Sequence, residues 1–222
     1  MNMEYIKKAS DEEEQCDGCT MVQPVVPDIV DQWVFGTRQV VIVGEITTQM
    51  AVAIVHRLAI YDALSPTKPI IIGVMSPGGA TDAGYTVIDR MQMCNAPVWT
   101  INLGVAYSMA AEICAFGTLG YRFAYPSASY MMHPATFQLG TGIEIPTIPG
   151  LSDFLARNEI TTIKRLATYI GVKSEKLLSD VRNTKWMTFK EAKRMKIVDK
   201  VWTPELEHGL KLDTEGTQDG TK

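Results

Sequence analysis

The sequence predicts an α/β fold of strand and helix units stacked with their strands in parallel. Three observations carry this. Apolar, β-branched runs of strand length occur at Val40 to Val43, Ile70 to Val74 and Val98 to Leu103. Each is followed by a stretch whose apolar residues recur at helical spacing. Each junction is marked by glycine: Gly44, Gly78 with Gly79, and Gly104. Strands that alternate with helices in this way pair in parallel through right-handed crossovers.

Residues 1 to 30 are acidic at Asp11 to Glu14 and interrupted by Pro24 and Pro27, which predicts a flexible N-terminal arm. The first unit is the Val40 to Val43 strand and a helix over Thr48 to Leu64, with Val52, Val55, Leu58 and Ala59 as its apolar stripe. The second joins the Ile70 strand to a helix near Ala83 to Met93. The third joins the Val98 strand to a helix near Ala106 to Phe116. Short strands follow at Tyr121 to Ala124 and Ser129 to Met132. The Gly-, Thr- and Pro-rich stretch from Gln138 to Gly150 reads as an irregular insertion. Beyond it, Leu151, Phe154, Leu155, Ile163, Leu166, Ala167 and Ile170 fit one long helix capped by Gly171. Ser174 caps a short helix to about Val181, Thr188 with Glu191 makes a capping box for another, and a last strand falls near Ile197 to Trp202. The folded domain therefore spans 31–204, and 205–222 form a mobile C-terminal tail.

A chain of 222 residues, 46% hydrophobic and 21% charged, can bury a real core and is too evenly mixed for a fibrous or wholly disordered protein. A net charge of -4 argues against nucleic-acid or anionic-membrane partners, which call for clustered Lys and Arg. The longest apolar runs fall far short of the roughly 20 residues a membrane-spanning helix requires. The N-terminal stretch lacks the apolar centre of a secretory signal, so a cytoplasmic location is expected. Four cysteines do not make a disulfide framework in a chain of this length. Cys94 and Cys114 fall in apolar helical patterns, and Cys16 with Cys19 is only half a zinc site, so no metal is expected.

Three junctions carry residues that packing alone does not ask for. In Ser76-Pro77-Gly78-Gly79, paired glycines after a buried strand let backbone N–H groups approach a ligand without Cβ obstruction. A plain tight turn accounts for them equally well. Gly104 to Ala111 surrounds Ser108 with small residues at a helix start, which exposes its hydroxyl and favours negative charge developing nearby. The alternative is a closely packed helix with Ser108 as its cap. Met131-Met132-His133-Pro134 ends a short strand in histidine. His56 lies in the first helix and His208 in the tail, so in a Ser/His enzyme His133 is the partner for Ser108; a histidine satisfied within the core is the alternative.

In order and spacing these segments resemble the proteolytic subunits of the Clp protease family. That family's SPGG turn, G-x-A-x-S-M-x-A segment and M-I-H strand correspond to Ser76 to Gly79, Gly104 to Ala111 and Met131 to His133. The likeness runs from about Arg38 to His133 and resumes at Met187 to Ala192 and Ile197 to Asp199. It implies a ClpP/crotonase-like fold of stacked βα units with a protruding handle helix, and serine endopeptidase chemistry in a 31–204 peptidase domain. By this resemblance Ser108 is the nucleophile, His133 its general base, and the backbone N–H groups of Gly78 and Met109 form the oxyanion hole. No cofactor is implied for the chain itself, which has no Walker phosphate loop. ATP is implied for a partner AAA+ unfoldase that feeds polypeptide substrate into two stacked heptameric rings, built from this chain alone or with a paralogue.

The chain departs from the family pattern twice. Anchoring on Trp186, Met187 and Thr188 puts Thr184 where the family has the third triad aspartate. Asp180, one helical turn earlier, is then the candidate to orient the imidazole, with Asn183 or Thr184 itself as alternatives. If none reaches His133, activity falls by up to roughly 10^4. After the histidine, Pro134 to Phe137 and the insertion replace a Gln-Pro-Leu-Gly-Gly stretch that makes substrate and ring-to-ring contacts in the family. The second reading is accordingly a weakly active or inactive structural subunit of a mixed ring.

Overall fold

The computed structural model describes residues 37–136 and 148–207. The expected arm, the segment 137–147, Cys16, Cys19, His208 and the chain from 208 onward lie outside the described residues. Within them run β1 (Gln39–Ile46), α1 (Thr48–Leu64), β2 (Ile70–Gly79), α2 (Thr81–Met93), β3 (Val98–Tyr107), α3 (Met109–Ala115), β4 (Arg122–Ala124) and β5 (Ser129–Met132). Then come α4 (Ile148–Ile170), α5 (Ser174–Arg182), β6 (Lys185–Thr188), α6 (Phe189–Arg194) and β7 (Lys200–Val201). A helical turn at 204–207 follows. The described strands form one seven-stranded sheet, in the order β1-β2-β3-β4-β7, with β5 paired to β3 and β6 to β5. Every pair is parallel except β5 with β6. The α/β class and the parallel pairing are as expected.

The main core lies between one face of the sheet and the helices. Val40 and Ile42, Ile70, Ile72 and Val74 point into it and meet Ile54 and Leu58 of α1, Val87 and Ile88 of α2, and Ile113 of α3. In α1 the buried face is Ala51, Ile54, Leu58 and Tyr61, and the expected stripe is corrected: Val52 is exposed. The helix is apolar on several sides, Ile60 and Leu64 being exposed as well, so spacing alone does not fix its rotation. Thr47 caps α1, its hydroxyl accepting from the Met50 N–H at 3.2 Å. Arg38 closes the other end by donating to the carbonyls of Tyr61, Ser65, Lys68 and Pro69.

Other boundaries also move, for physical reasons. The third helix begins at Met109 rather than Ala106, because Val105, Ala106 and Tyr107 are held in a ladder with Ser129, Tyr130 and Met131. The long helix begins at Ile148, inside the stretch expected to be irregular; Pro149 fits a first turn, where its missing N–H is not needed. Strand β6 was not foreseen, and the last strand shrinks to two residues. The Gly171 cap is present at φ +67, with the Val172 N–H returning to the Ala167 carbonyl. The Thr188 and Glu191 capping box is present too.

Only the second half of α4 packs on the domain, burying Ile163, Leu166, Ala167 and Ile170, while Phe154 in its first half is exposed. This is the protruding handle. On the far face of the sheet, Ile71, Ile101, Phe123 and Trp202 form a smaller cluster edged by Trp99, Leu103 and Leu206, and Val41, Val43 and Met75 stay exposed. No helix among the described residues is long and apolar enough to cross a membrane.

Asp199 ties the end of the sheet together. It accepts from the Arg122 guanidinium at 2.6 and 2.8 Å and from the backbone N–H groups of Gly120 and Arg122, while Arg122 also donates to the Ala115 carbonyl at the end of α3. Burial pushes the Asp199 carboxyl up, but the hydrogen bonds and charge of Arg122 outweigh it and hold it below the ordinary carboxylate range. Its contribution is therefore present at neutral pH and lost as pH falls through the folded value. Asp199→Ala leaves a buried guanidinium uncompensated and is expected to destabilise by about 3 kcal/mol in urea unfolding. A loss below about 1 kcal/mol would mean the pair behaves like a surface contact.

Candidate active site

Strand register brings three distant segments together. In the β2–β3 pair the register shifts between Val74 and Ser76, after which Ser76 lies opposite Ala106. Two residues further, Gly78 arrives beside Ser108. In the β3–β5 pair Tyr107 lies opposite Met131, and the Ser108 N–H donates to the Met131 carbonyl at 2.7 Å. Two residues past Met131, His133 turns its ring to the serine: His133 Nε2 and Ser108 Oγ are 2.9 Å apart. The pairing expected from sequence is present.

Ser108 stands at φ +55, ψ -127, between strand and helix. A non-glycine residue there costs of order 1–3 kcal/mol and persists only where its surroundings over-determine it. The turn thrusts the hydroxyl out of the sheet. Gly78 makes room for it: a Cβ on Gly78, at φ +103, would come 2.7 Å from Ser108 Cβ, 2.8 Å from the Tyr107 carbonyl oxygen and 3.3 Å from Met109 N. Glycine is required here by conformation and by space. Gly84 of α2 has a similar duty, since a Cβ there would collide with the buried Met109 side chain.

The two expected oxyanion donors differ in state. The Met109 N–H is the first of α3 and has no partner within that helix. The Gly78 N–H donates to the buried Ser76 Oγ at 3.0 Å. An oxyanion at Ser108 would have to share or take over that bond.

No candidate third member meets the histidine. Asp180 Oδ2 accepts from Lys176 Nζ at 3.1 Å and its Oδ1 lies 3.6 Å from Lys185 Nζ. Asn183 Nδ2 donates to the Ser179 carbonyl. The antiparallel ladder ends at the pair of Met132 with Lys185; Thr184, just before it, is an exposed β-branched residue at φ +48 whose N–H returns to the Val181 carbonyl. Among the described residues the His133 ring has one hydrogen bond, to Ser108. His56 is exposed on α1, as expected for a residue outside the site.

Sequence reasoning missed a polar layer behind α3. Tyr85 of α2 donates its hydroxyl to Glu112, one helical turn after Ser108. Glu159 of α4 accepts from the Ala135 N–H at 2.9 Å. A carboxylate inside the apolar run Met109 to Phe116 was the one signal for the first of these. Burial, opposed by the Tyr85 bond and aided by the charge of Glu159, pushes the Glu112 carboxyl up to about 7.

A family model described as Clp protease matches residues 24–205. The ATP-dependent Clp protease proteolytic subunit 2 of Treponema denticola is 31% identical over 175 residues, covering 78% of this chain and 86% of its own. The ATP-dependent Clp protease proteolytic subunit of Streptococcus pneumoniae is 31% identical over 164 residues, 74% of this chain and 84% of its own.

Two outcomes follow from the site's packing. Gly78→Ala is expected to displace Ser108 and cut reaction with a serine-directed probe by at least about 10^2, checked by labelling rate with the fold verified by circular dichroism; an undiminished rate contradicts the packing argument. For Glu112, the folded protein keeps its proton up to about 7, whereas the free side chain gives it up near 4.5. The unfolded state then binds fewer protons in that window, so stability falls as pH rises through it, by on the order of 3 kcal/mol. Glu112→Gln is expected to remove that slope, and an identical slope in both proteins contradicts the assignment.

Proposed function

Because the chain belongs to the Clp protease family, we propose that it is a serine endopeptidase subunit of a compartmentalised protease acting in the cytoplasm. It degrades unfolded polypeptides that a partner AAA+ ATPase delivers, and uses no cofactor of its own. The observation that carries this reading is the 2.9 Å contact between Ser108 Oγ and His133 Nε2, with Gly78 and the start of α3 beside the serine.

In the reaction, Ser108 Oγ attacks the peptide carbonyl carbon while His133 Nε2 takes the hydroxyl proton. The carbonyl oxygen becomes an oxyanion facing the N–H groups of Met109 and Gly78, the latter released from Ser76 Oγ. Collapse breaks the C–N bond, and His133 gives its proton to the departing amine. Water, deprotonated by the same nitrogen, then hydrolyses the acyl ester and restores Ser108.

Assembly into stacked heptameric rings, alone or with a paralogue, belongs to the same proposal. The exposed Val41, Val43 and Met75 on the open sheet face and Phe154 on the handle support it, as apolar surface that neighbours or the ATPase would cover.

A second reading has a specific observation behind it. With no carboxylate bonded to His133 among the described residues, the imidazolium that forms in the reaction lacks its usual stabiliser, which favours a slow or structural subunit in a mixed ring.

A fluorophosphonate probe and a peptide substrate separate the readings. Wild-type protein is expected to be labelled and to turn over, and Ser108→Ala and His133→Ala to lose both by at least about 10^3-fold. An assembled wild-type protein that stays unlabelled contradicts the peptidase reading. Thr184→Asp adds a second arm, since Asp tolerates the left-handed conformation better than Thr and puts a carboxylate next to the ladder pair from which His133 leaves the sheet. It is expected to raise the labelling rate by about tenfold or more; no gain would mean that the imidazole is oriented by other means.

A further inference from the structure

His133 lies one residue past the end of β5, so the last ladder pair that fixes its backbone is Met132 with Lys185. Nothing among the described residues is bonded to the far side of its ring. The direction of Nε2 therefore depends on where the chain after Met132 is held. Beyond the ladder the described chain there has one tether: Glu159 Oε1, reaching from the handle helix to the Ala135 N–H at 2.9 Å. Pro134 stands between, with its φ fixed by the ring, so a shift at Ala135 passes to His133 with little slack. An ionised acceptor makes this a stronger bond than a neutral carbonyl would.

A second observation places Glu159 within the site's surroundings. Its charge acts on Glu112, one helical turn after Ser108 on α3, and its own backbone carbonyl accepts from Thr162 Oγ1 at 2.9 Å. The carboxylate thus holds the base segment and lies close enough to the nucleophile helix for its charge to act on Glu112, rather than standing free on the handle.

We propose that Glu159 is a positioning residue: by holding the Ala135 N–H it keeps His133 Nε2 on Ser108 Oγ. That role falls in most Ser/His sites to a carboxylate on the imidazole itself. The inference rests on reading Ser108 and His133 as an acylating pair. It also makes the handle helix part of the frame of the active site.

The test compares assembled wild type, Glu159→Ala and Glu159→Gln, the last of which keeps an acceptor oxygen at the same reach. Peptide hydrolysis is expected to show kcat lowered about tenfold in the Ala variant with KM within about twofold, and recovered to within about threefold in the Gln variant. Amide hydrogen exchange supplies a readout independent of activity: a peptide covering residues 131–136 should exchange faster in the Ala variant, and as in wild type in the Gln variant. Unchanged exchange and unchanged kcat in Glu159→Ala would overturn the proposal. So would a higher kcat, which would mean that Glu159 occupies an N–H a substrate uses. If the wild type itself does not hydrolyse peptide, the peptidase reading fails instead, and the exchange comparison alone decides whether Glu159 holds the segment.

Discussion

Gly78 passes so close to Ser108 that no side chain fits between them, and the place of the nucleophile depends on that approach. It is produced by the register of β2 on β3 after the irregularity past Val74, which sets Ser76 opposite Ala106 and carries the next two residues to the serine. The same central strand fixes the other partner, because Tyr107 lies opposite Met131. Ser108 can hold its unfavourable φ of +55 because strands on both sides determine it. Remove the glycine and the nucleophile has to move, whatever the histidine does.

Helix α3 has seven residues, too few to be stable alone in water. Its stability comes from its surroundings. Ala110, Ala111 and Ala115 are fully buried and let its backbone lie close to the sheet. Its last carbonyls are taken by side chains from neighbouring strands, Thr100 Oγ1 on Cys114 at 2.8 Å and Arg122 on Ala115 at 3.1 Å. Its remaining polar side chain, Glu112, is met by Tyr85 from α2. The run of small residues around Ser108 thus serves packing and chemistry together: the close fit that buries α3 also aims its first N–H at the serine.

Much of this was legible in the sequence. Strand and helix alternation predicted the parallel sheet, and Thr48 to Leu64 is helical to the residue at both ends. Ser108 and His133 stood out because each follows a strand in a setting that suits chemistry as well as packing, and the family resemblance joined them into the pair whose 2.9 Å contact the structure contains. The failures were of other kinds. An all-round apolar helix does not declare its rotation, so the inward stripe of α1 was misassigned. Val105 to Tyr107 carries no strong strand signal and is extended only because β5 pairs with it, a tertiary effect that local preference does not contain. Asp180 was one turn away from the right position in sequence, but two lysines hold it, and the residue that leads into β6 beside its last pair with Met132 is Thr184. Glu159 and Ala135 are 24 residues apart, with no periodic pattern to link them.

The central claim is that Ser108 is an acylating nucleophile whose oxyanion faces the N–H groups of Gly78 and Met109. A crystal structure of the assembled protein after reaction with a fluorophosphonate tests it most directly. The account predicts phosphorus bonded to Ser108 Oγ, its oxygen within about 3 Å of both nitrogens, and the Gly78 N–H turned from Ser76 Oγ toward that oxygen. An adduct on another residue, or a phosphoryl oxygen directed to solvent with the Gly78 N–H still on Ser76, would contradict it.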